Sequence, residues 1–233
     1  MSSIGWEKMS GRTYCGYCLF FLLLLATAPG CAPRGPSLPK DIADTLPKEE
    51  DFEFRAPEGW GINLLKDARL VSTTAEGGIN QISRMVDGKP ATSWAGKGYG
   101  HRPQFTLDFG REVEFNRLVI YNRHTDMRGT GGGNNAAKDL VISASVGSSP
   151  DSFALLSETT LPGPRAQCAP VEDKHVCFYV DNTDPTIIIL PRVKSRFIRI
   201  QIASAYWLPP AETQWPTELS YALSEVMAFM ARN

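Results

Sequence analysis

Residues 83–94 read SRMVDGKPATSW, too polar for core and too rich in Asp, Gly and Pro for helix. Asp-Gly marks a tight bend, and Pro90 fixes the backbone just after it. Asp87 and Thr92 then become oxygen donors able to converge on one point. A second group, YNRHTDMRGTGGGNN, places Asn122, Arg123, His124, Asp126 and Arg128 directly after a strand, where loops carry function on a rigid scaffold. A third, AYWLPPAETQW, gathers Tyr206, Trp207 and Trp215 outside the alternating strands. Aromatic rings so placed need either a core niche or a ligand. Structural roles stand beside each binding role: Arg123 pairing with a local acid, Trp207 closing a sandwich, His124 solvated.

No catalytic set accompanies these groups. GxSxG and HExxH are absent, and the three histidines, His101, His124 and His175, share no metal-ligand spacing. GTGGGNN lacks the Lys-Ser/Thr of a phosphate loop and opens no helix, so it reads as a hairpin tip. Two carboxylates can make a glycosidase, but no pair stands out, and the chain reads as a non-enzyme. With a net charge of −1 and no basic block, nothing marks a nucleic-acid footprint.

The elements that must position these groups are strands. QFTLDF alternates Phe105, Leu107 and Phe109 against polar partners, DLVISASV alternates Leu140, Ile142, Ala144 and Val146, and RFIRIQIA puts Ile198, Ile200 and Ile202 on one face. NRLVIYN, HVCFYV and TIIIL are further β-branched or aromatic runs. Period-two alternation bounded by Gly, Pro, Asn and Asp predicts an all-β sandwich. A hydrophobic content of 42% with 10% aromatics is ample for its core.

The N-terminus carries Lys8 and Arg12, an apolar run from Tyr17 to Ala28, then small residues up to Cys31. That is the pattern of an export signal, and the run is short of the about 20 residues a membrane span needs. Ala28-Pro29-Gly30-Cys31 resembles the bacterial lipobox, which makes Cys31 the expected lipidated N-terminus of a membrane-anchored envelope or surface protein, with residues 1–30 removed. Acyl chains contribute about 0.8 kcal/mol per buried CH₂. Five prolines and an acid cluster over residues 31–60 leave little to bury, so this stretch reads as an extended, mobile tether, with one domain over 61–233. Of five cysteines, Cys15 and Cys18 leave with the signal. Cys168 and Cys177, flanked by loop residues in an oxidising compartment, are expected to pair as a disulfide.

NLLKDARLVSTT, MVDGKPATSWAG, PQFTLDFGREVEFNRLVIYNR and YALSEVMAFM follow one another in the order seen in discoidin domains. The chain thus resembles the coagulation-factor type C family, which overlaps with family 32 carbohydrate-binding modules, from Asn63 onward. The resemblance implies a galactose-binding-like jelly roll of about eight main strands, with binding loops at one end. A Cys-bearing insertion between residues 157 and 185 departs from it. In calcium-binding relatives the turn Asp, the following Thr and a Glu near the C-terminus surround a structural ion. Here these are Asp87, Thr92 and Glu225, with carbonyls such as those of Arg84 and Lys89, and Trp94 packed beneath the loop. The same loop without an ion is a plain Asx turn. Sugar-binding relatives imply His101, Asn122, Arg123, His124 and Arg128 on the polar side of a glycan or other surface ligand, with Tyr206, Trp207 or Trp215 stacking on it. The alternative function is a docking subunit of an envelope complex that binds no sugar.

Overall fold

The computed structural model describes residue 44 and residues 46–74, 82–97, 102–123, 136–171, 174–206 and 220–232. The chain divides into Met1–Arg34 and Gly35–Asn233, and every described residue belongs to the second unit. Ten strands are described: β1 Arg69–Thr73, β2 Trp94–Lys97, β3 Gln104–Tyr121, β4 Asp139–Ser145, β5 Phe153–Thr160, β6 Arg165–Val171, β7 Lys174–Val180, β8 Thr186–Ile202, β9 Ser220–Leu223 and β10 Glu225–Phe229. They form a sheet in the order β1-β3-β8-β4-β5 with β10 also on β3, and two pairs, β2-β9 and β6-β7.

The alternation read from the sequence sets the core. Phe105 lies opposite Ile200 and Leu107 opposite Ile198, while Leu140 and Ile142 of β4 face Ile202 and Ile200 from the other side. All of these side chains are buried in one cluster, each contributing roughly 1.5–3 kcal/mol. Val146 departs from the expected pattern: β4 ends at Ser145, the chain turns through Gly147 at φ 76°, and Val146 is exposed.

β3 serves two halves of the fold because it is interrupted. Its register against β8 shifts between Asp108 and Val113 and again between Phe115 and Arg117. Gly110 supplies the positive φ of 78° that the first irregularity needs. Before the break β3 pairs with β1; after it β3 pairs with β10, and Tyr121 lies opposite Glu225. The second half is buried on both faces. Leu118 and Ile120 point into the main core, whereas Val119 and Tyr121 join a second cluster with Phe52, Met227 and Phe229.

That second cluster corrects the expected tether. Residues 49–60 form a strap on the domain, opening with a 3-10 turn at Glu49–Phe52. Phe52 is buried, and the rings of Phe54 and Trp60 lie 5.6 and 5.5 Å from that of Phe229. The backbone is pinned as well: Gly61 N–H donates to Met230 C=O at 3.1 Å, and Arg232 N–H to Gly59 C=O at 3.0 Å. Three aromatic side chains outweigh the prolines and acids around them.

The cysteines also lie differently from expectation. They sit in strands, with Cys168 directly opposite Cys177 in the β6-β7 register. Facing residues of an antiparallel pair have Cα atoms about 4.5–5.5 Å apart, within the range a disulfide spans. A bridge between them would close a loop of about ten residues and contribute on the order of 2–3 kcal/mol by chain entropy. Thiol labelling of the unfolded, unreduced domain is expected to find neither cysteine reactive; two labelled thiols reject the pairing. Among the described residues no helix is long and apolar enough to cross a membrane.

Candidate functional site

The loop after the 3-10 turn Ser83–Met85 is built around one oxygen cluster. Lys89 N–H donates to Asp87 Oδ1 at 2.8 Å, an Asx turn, and Gly88 takes the positive φ of 77° that the bend requires. Thr92 N–H then donates to Lys89 C=O at 2.9 Å. The Thr92 hydroxyl lies 3.0 Å from Asp87 Oδ2, 3.0 Å from the Lys89 carbonyl and 3.4 Å from that of Arg84. One hydroxyl hydrogen serves one of these acceptors at a time.

Glu225 closes the cluster from β10. It is 0% exposed, and its Oε1 accepts from Gly88 N–H at 3.2 Å. Its Oε2 is buried with no hydrogen-bond partner. Burial, reinforced by the charge of Asp87, pushes the Glu225 carboxyl up to about 9. A buried carboxylate beside a second one is unfavourable unless a proton or a cation joins it. The donors are all oxygens, two of them carboxylates, and no group of three or more His, Cys, Asp or Glu that could hold a metal ion is found among the described residues. Such a set suits Ca²⁺, which takes about 6–8 hard oxygens, and does not suit a metal that seeks nitrogen or sulfur. The residues present therefore fit the ion implied by the sequence. Trp94 is fully buried, edge-on to Phe105 at 4.7 Å.

Side chains from distant segments hold the loop in shape. The buried Ser224 hydroxyl lies 2.5 Å from the carbonyls of both Pro90 and Thr92. Arg123 donates through Nη1 to the Ala91 carbonyl and through Nε to Asp181 Oδ2 at 2.9 Å, with its guanidinium 4.3 Å from the centre of the Phe52 ring. Ser224, Asp181 and Phe52 were not singled out in the sequence. Ser224 could have been found as the neighbour of Glu225, whereas the other two carry no local signal.

Three expected ligand residues are thereby placed in the framework. Asn122 is buried and donates its amide hydrogens to the carbonyls of Ala137 at 2.7 Å and Pro162 at 2.9 Å. Arg123 spends its fork on Ala91 and Asp181 and has a side chain only 22% exposed. Tyr206 donates its hydroxyl to Leu161 C=O at 2.7 Å and packs so closely on Gly163 that a Cβ there would come within 2.9 Å of the ring. Their donor groups are turned to carbonyls and an acid that the chain supplies from elsewhere in sequence, while Asn122 Oδ1 is buried with no partner. His101, His124, Arg128, Trp207 and Trp215 lie outside the described residues, as does Cys31.

Described residues that flank the segments carrying those residues lie near one another. Ala136, which ends segment 124–135, bridges Ala222 of β9 and accepts from Tyr206 N–H at 2.8 Å. Tyr206 begins segment 207–219, and Ser220, which follows it, lies opposite Lys97, where segment 98–101 begins. Three chain segments bearing the candidate polar and aromatic groups leave from one cluster of strand ends.

Among solved structures, the chain is similar to CpGH89CBM32-5 from Clostridium perfringens in complex with GalNAc-β-1,3-galactose. That match has 14% identity and a TM-score of 0.46, covering 72% of this chain and 97% of that one. It is similar to CBM32-3 from a family 31 glycoside hydrolase of Clostridium perfringens at 13% identity and a TM-score of 0.49, covering 73% and 94%. Chitosan-binding module 1 from a chitosanase/glucanase of Paenibacillus sp. IK-5 matches at 16% identity and a TM-score of 0.45, covering 72% and 97%. No curated protein sequence matches the chain. The family model described as F5/8 type C domain matches residues 70–217.

Proposed function

We propose that this chain, which belongs to the F5/8 type C domain family, is a non-catalytic binding module for a carbohydrate or related surface ligand. The convergence of the three loop stems carries the reading. The described residues that flank segments 98–101, 124–135 and 207–219 lie near one another, which supports a reading in which the hydroxyl-binding and ring-stacking groups His101, His124, Arg128, Trp207 and Trp215 act on one ligand. Asn122, Arg123 and Tyr206 serve as the rigid base on which those loops stand. In this reading one Ca²⁺ held by Asp87, Thr92, Glu225 and the carbonyls of Arg84 and Lys89 would neutralise the buried carboxylates and stiffen the loop. Its contribution is structural, and the chain's own residues make the ligand contacts.

A shallow site of this kind buries little area, so an affinity near 1 mM, about −4 kcal/mol, is expected. Screening the exported domain on a broad glycan array and then by titration tests it. Replacing Trp207 or Trp215 by Ala is expected to abolish binding with the melting temperature nearly unchanged. Absence of any bound glycan transfers the function to the docking-subunit alternative. Anchoring through Cys31 rests on the sequence and has its own test: Cys31→Ser is expected to shift the protein from the membrane to the soluble fraction. Retention of an unprocessed Cys31→Ser chain in the membrane identifies the apolar segment as a true anchor. If anchored, many copies on one surface raise avidity well above single-site affinity.

A further inference from the structure

We infer that Arg123 is a positioning residue that couples the docked strap, residues 49–60, to the oxygen-lined loop, so that strap docking and cation binding strengthen each other. The inference rests on the calcium reading above. One planar guanidinium makes three contacts to three separate parts of the chain: Cζ over the Phe52 ring at 4.3 Å, Nε to Asp181 at 2.9 Å, and Nη1 to the Ala91 carbonyl. Because the fork is rigid, these contacts are not independent. Tilting the plane to follow one partner moves the donors away from the others.

The strap end of this connection is firm. Phe52 is buried against Val119, Tyr121, Met227 and Phe229, and its ring centre lies 4.3 Å from the Arg123 guanidinium carbon. The loop end is equally direct. Ala91 immediately precedes Thr92, whose hydroxyl sits in the oxygen cluster, and follows the turn that presents the Lys89 carbonyl. When the strap leaves, Arg123 regains rotamer freedom and the Ala91 carbonyl loses a fixed charged donor. The loop then has to be ordered by the ion itself, which lowers affinity. Linkage makes the effect reciprocal: the ion must hold the strap down by the same factor.

The test is calcium titration of the full chain by calorimetry, together with amide exchange of the strap with and without calcium. Phe52→Leu keeps an apolar side chain but removes the ring, and Arg123→Lys keeps the charge but removes the fork. Each is expected to weaken calcium about 5- to 30-fold. The double variant is expected to fall no further than Arg123→Lys alone, a non-additivity that independent structural damage does not produce. Strap amides are expected to exchange more slowly with calcium in the wild type and equally with and without it in Arg123→Lys. Wild-type binding with unchanged affinity in both variants overturns the coupling alone. No calcium binding by the wild type overturns the cation reading and the coupling with it.

Discussion

Calcium at a hundredfold excess over its dissociation constant is expected to raise the melting temperature of the chelated chain by roughly 5–10 °C. Binding to the folded state alone contributes about 2.7 kcal/mol at that excess, and each kcal/mol shifts the melting point of a chain this size by about 2–4 °C. The geometry adds a second arm. Glu225→Gln keeps an acceptor for the Gly88 N–H while removing the buried charge whose Oε2 has no partner. That variant is expected to melt higher than the wild type in chelator at pH 8 and to show no calcium response. The pH dependence follows from the raised carboxyl of Glu225, pushed up to about 9 from an ordinary 4.5. A carboxyl raised in the folded state stabilises it fully below the ordinary value, and that stabilisation is lost as pH climbs toward the raised one. The chelated chain should therefore melt higher at pH 5 than at pH 8. Calcium needs the carboxylate, so its affinity should rise over the same interval. A melting curve indifferent to calcium, chelator and Glu225→Gln would leave the loop as a plain Asx turn.

Removing the strap should be the most damaging truncation that leaves every predicted strand intact. A chain beginning at Gly61 loses Phe52, Phe54 and Trp60 and uncovers Val119, Tyr121, Met227 and Phe229. Burial of large apolar side chains contributes roughly 1.5–3 kcal/mol each, so a loss on the order of 5 kcal/mol is expected. This is comparable to the whole stability of many domains. Urea unfolding of chains beginning at Asp44 and at Gly61 measures it as a drop in midpoint. Equal midpoints would mean that the strap adds nothing and that residues 31–60 act as tether throughout.

The strands of the core were legible because burial on one face writes a period of two into the sequence. Phe105 with Leu107, Leu140 with Ile142, and Ile198 with Ile200 and Ile202 all face inward as the alternation requires. The Asp87 loop was legible for a different reason: Asp-Gly, Pro90 and Thr92 are local turn chemistry. The roles of Asn122 and Arg123 were not legible. A polar residue just past a strand end looks solvent-facing unless its partners are known, and here those partners are residues 91, 137, 162 and 181. The strap was hidden in the same way. Its aromatic residues at 52, 54 and 60 follow no period, and what they pack on lies near residues 119–121 and 227–229.

One feature of the topology governs the timing of assembly. The strap rests on β10, β10 completes β3, and the oxygen cluster needs both Asp87 and Glu225. Ribosomes add about 5–20 residues per second, so the interval between synthesis of these two carboxylates is on the order of 7 to 30 s. From the emergence of β3 onward, its second half lacks β10 on one edge, and the apolar faces of Val119 and Tyr121 lack part of their cover. Apart from the local hairpins β4-β5 and β6-β7, every strand pairing joins residues far apart in the chain, so formation is expected to be slow in the manner of high-contact-order folds. The nascent chain is then vulnerable to self-association until residues 225–229 emerge, and a holdase that shields the exposed β3 edge would act during that window.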